Sequence, residues 1–456
     1  MRTKFVFAAV ILPMTVVVGG VASYLTNGFQ RAQASALPTN SQHFQSSTKD
    51  VHFSTISDKY NPMLSAQATS GDGRLSAPVT VLPSDFGLNV AEWDSAMNTS
   101  STIPTIQTLG TGMQRFPNND AWSWKLNRSR NGSDGYKSWN TFTSPFSLKQ
   151  WGAELQATSN QGIFNINYGM NSTWNGGQSI ADVEALTHNI LDNHIPVKAM
   201  VVGSETFFST TINLRADKSA QEYAKVSKQM AIAIHKIDPN MMVGVSLSAG
   251  TNGHMSSADV QWNDTVLRMD SPYIQFVTFH VYPIDHSVTS SGLLNTLAAD
   301  LPQLTSTIRY ELLTNAGRYA PNIQVWFTEF NLFLNPRPQT TEQVGGAAML
   351  ESMLLARSLG VQQIDVWSLH GGAHALLPNG QVATAEVHQS VSQYGTFALA
   401  GDGQAPEPAM NTLYPTGQAL SKLTALVRGG AKLQVEKTAH LFAAKIVSGN
   451  KAHWVL

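Results

Sequence analysis

A (β/α)8 barrel (the TIM barrel) with a small accessory β-module is the fold class predicted by this 456-residue sequence. Three observations predict it. From about residue 84, eight short apolar or β-branched runs alternate with longer stretches of helical period. The polar residues that interrupt the pattern fall at the C-terminal ends of the strand runs, where a barrel carries its chemistry. A last group of β-patterned runs, with no helical stretch between them, closes the sequence.

The eight strand runs are Phe86–Val90, Met113–Pro117, Gly162–Asn167, Val197–Gly203, Met242–Ser246, Phe276–His280, Val325–Glu329 and Ile364–Ser368. Helical patterns lie between them at Ser147–Ser159, Ile180–Asn193, Ala220–Ile237, Leu293–Thr314 and Thr341–Leu359. Lys432–Glu436, Leu441–Val447 and Ala452–Leu456 read as strands of the accessory module, with a turn at Ser448-Gly449-Asn450. The predicted organisation is a barrel over residues 76–428 and a β-module over 429–456, which the run Ala77–Leu82 joins.

Ahead of the barrel, Arg2 and Lys4 precede an apolar run from Phe5 to Leu25, and Ala32-Gln33-Ala34 offers a small-x-small cleavage site. Residues 1–34 therefore read as a signal peptide or a membrane anchor. Residues 35–75, rich in Ser, Thr, Gln and Asn, read as a flexible linker. The expected location is extracellular, or on the outer face of the membrane if the anchor is retained.

Composition narrows the partners. Charged residues are 13% of the chain, about half the usual share, and the net charge is −1. Nothing draws such a surface to nucleic acid, and it suits a neutral polymer such as a polysaccharide. The chain has no cysteine, which excludes disulfides, thiolate catalysis and Cys-based metal sites. His254, His280, His286, His370 and His374 lack metal-ligand spacing, and no phosphate-binding glycine loop occurs. Neither a catalytic metal nor a cofactor is predicted. His370 and His374, with Gly371-Gly372, read as a surface loop.

The strand ends carry the candidate site. Asn89 ends the first strand, and Arg115 the second, followed by Asn118-Asn119-Asp120, Trp122 and Trp124. Asn167 and Tyr168 end the third. Ser204 and Glu205 follow the fourth, Ser246 and Ser248 the fifth, and His280 and Tyr282 the sixth. Glu329 and Asn331 end the seventh, and Trp367 the eighth. Two of these are carboxylates at the ends of buried strands, on opposite sides of the barrel mouth. Glycoside hydrolysis uses such a pair: one carboxyl group donates a proton to the leaving oxygen and one carboxylate attacks the anomeric carbon.

The motifs, taken in order, resemble glycoside hydrolase clan A, and most of all its α-L-arabinofuranosidase branch. They are Gln114-Arg115-Phe116-Pro117, then Trp122-Ser123-Trp124, Asn167-Tyr168-Gly169, Gly203-Ser204-Glu205, His280-Val281-Tyr282-Pro283 and Thr328-Glu329-Phe330-Asn331. The resemblance spans roughly residues 84–370. It implies a retaining mechanism with Glu205 as general acid/base and Glu329 as nucleophile. It implies that His280 and Tyr282 orient Glu329 and contact the sugar, and that Arg115 lies under the pocket and keeps Glu329 ionised. Trp122, Trp124 and Trp367 would offer apolar faces to the sugar. Two departures stand out: Ser204 replaces the family's asparagine before the acid/base, and Asn118-Asn119 replace two glycines. They motivate an alternative, a non-catalytic carbohydrate-binding protein on the same scaffold. A β-xylosidase or β-glucuronidase of the same clan is the other.

Overall fold

The structure is a computed structural model. It describes residues 75–456 except 93, 119–121, 132–139, 209–212, 251–254, 285–286, 312–321, 334–337, 371–372, 377–381, 386–410 and 438–441. The predicted leader and the linker up to residue 74 lie outside the described residues, as do Asn119, Asp120, His254 and His286.

In chain order, β1 (Val79–Val81) precedes the first barrel strands, β2 (Phe86–Asn89) and β3 (Met113–Phe116). An antiparallel pair follows, β4 (Arg128–Asn131) and β5 (Asn140–Thr143). The remaining barrel strands are β6 (Gln161–Ile166), β7 (Val197–Val202), β8 (Met242–Ser246), β9 (Phe276–Val281), β10 (Gln324–Phe330) and β11 (Gln363–Val366). Then come β12 (Ala373–Leu376), β13 (Val382–Ala385), β14 (Ala431–Lys437), β15 (Phe442–Ser448) and β16 (Lys451–Val455).

The eight barrel strands close in the order β10-β11-β2-β3-β6-β7-β8-β9, all parallel. They are the eight strands expected. Helices Thr102–Leu109, Ser257–Asp270 and Pro415–Leu426 join the five expected ones. Four of the barrel helices begin on a serine whose hydroxyl accepts the amide three residues on: Ser147 from Gln150, Ser179 from Asp182, Ser219 from Glu222 and Ser256 from Asp259. Each such cap is worth about 1 kcal/mol, and each sits just after a loop on the mouth side of the barrel. Among the described residues no helix is long and apolar enough to cross a membrane.

The accessory sheet has the order β1-β14-β15-β16, so the run before the barrel does pair with the last three strands. A second four-stranded sheet, β13-β12-β5-β4, was not expected. Its strands are four residues long, and its two halves meet through one pairing, Leu376 with Thr143, far apart in sequence. Both halves follow a barrel strand and so belong to the C-terminal face.

Inside the barrel, side chains alternate in and out. Met113, Ile163, Ala199, Val201, Phe276 and Trp326 form the lower inner layer, with Phe276 and Trp326 stacked at 3.8 Å between ring centroids. Gly244 makes room for this stack: a Cβ there would lie 2.3 Å from the Phe276 ring. Gly244→Ala is expected to destabilise the fold by about 1–3 kcal/mol, read from the urea midpoint. An unchanged midpoint would mean that the inner layer is loosely filled.

Candidate active site

Two local irregularities aim the carboxylates. On β10 the pairing with β9 runs Phe327 to Phe279 and then Glu329 to His280, so Thr328 is an extra residue on β10. Strict alternation from the inward Trp326 would turn Glu329 outward. The bulge re-aims it into the mouth. Glu205 lies in a tight turn after β7, with positive φ at Gly203 (73°) and at Glu205 itself (50°). A Cβ at Gly203 would meet the Thr206 hydroxyl at 3.0 Å and Tyr168 Cβ at 3.2 Å, so both conformation and space require glycine there. A glutamate held at positive φ is strained, and such strain gathers at functional sites.

Arg115 is the hub. It points inward from β3 and is fully buried. Its Nη1 donates to Glu329 Oε1 at 2.8 Å and to Asn89 Oδ1 at 2.9 Å, and its Nη2 donates to Ser204 Oγ at 3.0 Å. The Tyr282 hydroxyl donates to Glu329 Oε2 at 3.0 Å. His280 Nδ1 lies 2.8 Å from Glu205 Oε1 and 3.2 Å from Glu329 Oε2, between the two carboxyl groups. Oxygens of the two glutamates come within 4.8 Å of each other. The same three residues, Glu205, His280 and Glu329, also lie close enough to hold a metal ion. Against this, the arginine already ion-paired to Glu329 opposes a second cation in the same place.

The electrostatics separate the two acids. Burial pushes the Glu205 carboxyl up to about 7, against the pull of Arg115. Glu329 instead accepts charge-assisted and hydroxyl hydrogen bonds on both oxygens. Burial lowers His280 to about 4; Glu329 opposes the shift and Arg115 adds to it. The imidazole is thus neutral at ordinary pH and offers one Nδ1–H to the carboxylates when it donates.

The structure brings together Glu205, Glu329, Arg115, Ser204, His280 and Tyr282. Of the expected aromatic platforms, Trp122 and Trp124 pack on the core instead. Trp122 is buried, packing edge-on against Phe116 (4.9 Å) and tilted to Phe164 (6.3 Å). Phe116 in turn contacts Trp151 of helix Leu148–Thr158, so this is the outer core. Trp124 packs half-buried on the same core with the Lys125 ammonium near its ring. Tyr168 is buried against Tyr223 of helix Ala220–Ile237, with the Arg215 guanidinium over its face. Asn167 is buried, accepts from the Met170 amide at 3.1 Å, and lines a small internal cavity with Trp122 and Trp124. These corrections share a cause: past the strand end the chain turns outward, and large rings gain most by burial. Trp367 is half-buried beside the seventh strand, its amide donating to the Phe330 carbonyl at 3.0 Å.

His370 is no surface residue. It is buried, with Nδ1 on Asp94 Oδ2 at 2.5 Å and Nε2 on Asn411 Oδ1 at 2.8 Å. Glu92 is a group that sequence reasoning missed. It is buried on the loop after β2, accepts from the Asn118 amide at 3.2 Å and the Ser129 hydroxyl at 3.3 Å, and is pushed up to about 7 by burial. It lies beyond its strand end, and no motif marks it.

No protein-family model matches the sequence, and no curated protein matches it. Solved structures match the fold. A family 51 α-L-arabinofuranosidase from Bifidobacterium longum aligns with a TM-score of 0.58 at 13% identity, over 81% of this chain and 80% of its own. The fold shared with it is the (β/α)8 barrel with an accessory β-sheet. The α-L-arabinofuranosidase from Thermotoga maritima gives 0.55 at 12% identity, over 83% and 80%. A 4-O-α-L-rhamnosyl-β-D-glucuronidase from Fusarium oxysporum gives 0.52 at 14%, over 82% and 77%. At these identities the likeness to these glycosidases is one of fold.

Arg115→Met tests the hub. Removing one partner of a buried ion pair leaves the other uncompensated, so a loss of about 3–5 kcal/mol is expected in urea unfolding. A loss below about 1 kcal/mol, the size of a surface pair, would show that the arginine is not the site's anchor.

Proposed function

We propose that this chain is a retaining glycoside hydrolase that cleaves glycosidic bonds in oligo- or polysaccharide outside the cell. The observation that carries the reading is the pair of unlike carboxyl groups, Glu205 and Glu329, with oxygens within 4.8 Å of each other. Retaining enzymes hold the two groups about 5–5.5 Å apart, and inverting enzymes leave about 6.5–9.5 Å for a water. Glu205, raised to about 7, keeps its proton at mildly acidic pH and serves as the acid. Glu329, held by Arg115 and Tyr282, serves as the nucleophile.

In the first step a Glu329 oxygen bonds to the anomeric carbon as the glycosidic C–O bond breaks. The electron pair goes to the leaving oxygen, which takes the proton from Glu205. In the second step Glu205, now a carboxylate, takes a proton from water. The water oxygen attacks the anomeric carbon and frees Glu329.

The substrate reading favoured here is an α-L-arabinofuranoside. It rests on the sequence resemblance and on the arabinofuranosidases among the fold neighbours. The departure at Ser204 supports a second reading, a different clan A sugar. The Ser204 hydroxyl is already engaged by Arg115, so it is not a free substitute for a sugar-binding amide. Secretion, with or without a retained anchor, is part of the proposal and rests on residues 1–34.

A panel of aryl glycosides assayed with the wild type and with Glu329→Gln tests the reading. Release from one sugar, absent in the variant, is the expected result. Binding of polysaccharide with no hydrolysis of any substrate would leave the carbohydrate-binding alternative standing. Turnover should be greatest below about pH 7 and fall as pH rises through that value, because Glu205 then loses its proton. A rate that instead climbs through pH 7 would exclude Glu205 as the acid.

A further inference from the structure

We propose that Asn89 is a positioning residue that aligns Arg115 on Glu329, an inference that rests on the catalytic reading of that glutamate. Asn89 is fully buried at the end of β2 and points into the barrel. Its Oδ1 accepts from Arg115 Nη1 at 2.9 Å. Its Nδ2 faces three main-chain carbonyls, those of Thr328 (2.9 Å), Asp365 (3.2 Å) and Val366 (3.3 Å).

The topology makes these contacts unusual. Strand β2 pairs with β11, and β11 with β10, so β2 and β10 are not neighbours. The Asn89 amide reaches past β11 to the carbonyl of Thr328, the bulged residue directly before Glu329. One side chain thus grips both the backbone that carries Glu329 and the guanidinium that pairs with it.

The geometry explains why an amide serves here. Arg115 Nη1 has two hydrogens in the guanidinium plane, and one is committed to Glu329. An acceptor on the second stops the plane from rotating, so the first stays aimed. A carboxylate could accept from the arginine but could not donate to any of the carbonyls. An aliphatic residue could do neither. Gln363 and Asp365 continue the polar interior below: Gln363 Nε2 donates to Asp365 Oδ1 at 2.7 Å, so the carboxyl group under Asn89 has its own partner and does not replace it.

Two variants and two readouts test the role. In Asn89→Leu, kcat on an aryl glycoside is expected to fall about 10- to 100-fold, the usual cost of removing a supporting partner, with KM little changed. In Asn89→Asp an acceptor remains but a second negative charge stands beside Glu329. The acid limb of the kcat/KM profile should then move toward neutral pH, because the new charge stands next to the guanidinium and the nucleophile it pairs with. Independently of turnover, the Nη–H resonances of Arg115, assigned with Arg115→Lys, should be resolved in the wild type and averaged in Asn89→Leu. Unchanged resonances in Asn89→Leu and an unmoved acid limb in Asn89→Asp would overturn the proposal, whatever happens to the melting temperature. Wild-type protein inactive on every glycoside would count against the proposed function, and the arginine resonances would still decide the role of Asn89.

Discussion

A guanidinium buried in a barrel needs an anion, and Arg115 finds it in Glu329 at 2.8 Å. The rest of the site is arranged around that constraint. The pair is costly to bring out of water, and further hydrogen bonds to its atoms offset part of that cost. Asn89 and Ser204 take other guanidinium hydrogens, and Tyr282 takes the second oxygen of the glutamate. The arginine's contacts reach the ends of the first, fourth and seventh barrel strands. One guanidinium therefore ties three strand ends together at the mouth.

The same arginine explains how two glutamates so close together can differ. Glu205 receives no direct bond from Arg115. It feels the charge at a distance, and desolvation dominates, so it holds its proton to about 7. Glu329 takes the ion pair itself. The neutral His280 sits between them and adds no charge of its own. Two carboxyl groups with unlike environments in one mouth are what acid and nucleophile roles demand.

Much of this is legible in the sequence, for identifiable reasons. Runs such as residues 199–202 are apolar and buried on both faces because a parallel barrel buries both, and the polar residues that follow stand out against that background. Glu205, Glu329, Arg115, His280 and Tyr282 were visible as polar breaks at strand ends. Other features depend on geometry that a one-dimensional pattern does not carry. The bulge at Thr328 leaves no mark on composition, yet without it Glu329 would face the helices. Trp122 and Tyr168 sit at strand ends like the site residues, but the chain turns there and their rings pack outward. The sheet β13-β12-β5-β4 forms from two pairs of four-residue strands more than 200 residues apart, each too short for its pattern to announce it. Asn89 is visible as a polar strand end, but its reach past β11 exists only in the closed barrel.

In the proposed mechanism Glu329, held by Arg115, forms a covalent bond to the sugar. A 2-deoxy-2-fluoro aryl glycoside of the sugar that the enzyme hydrolyses slows release of that intermediate and allows it to accumulate. Peptide mass spectrometry of the trapped protein is the most direct measurement. One fluorosugar is expected on the peptide that contains Glu329, and none in Glu329→Gln. A label on any other residue, or hydrolysis that proceeds with no adduct and inverts the anomeric centre, would contradict it.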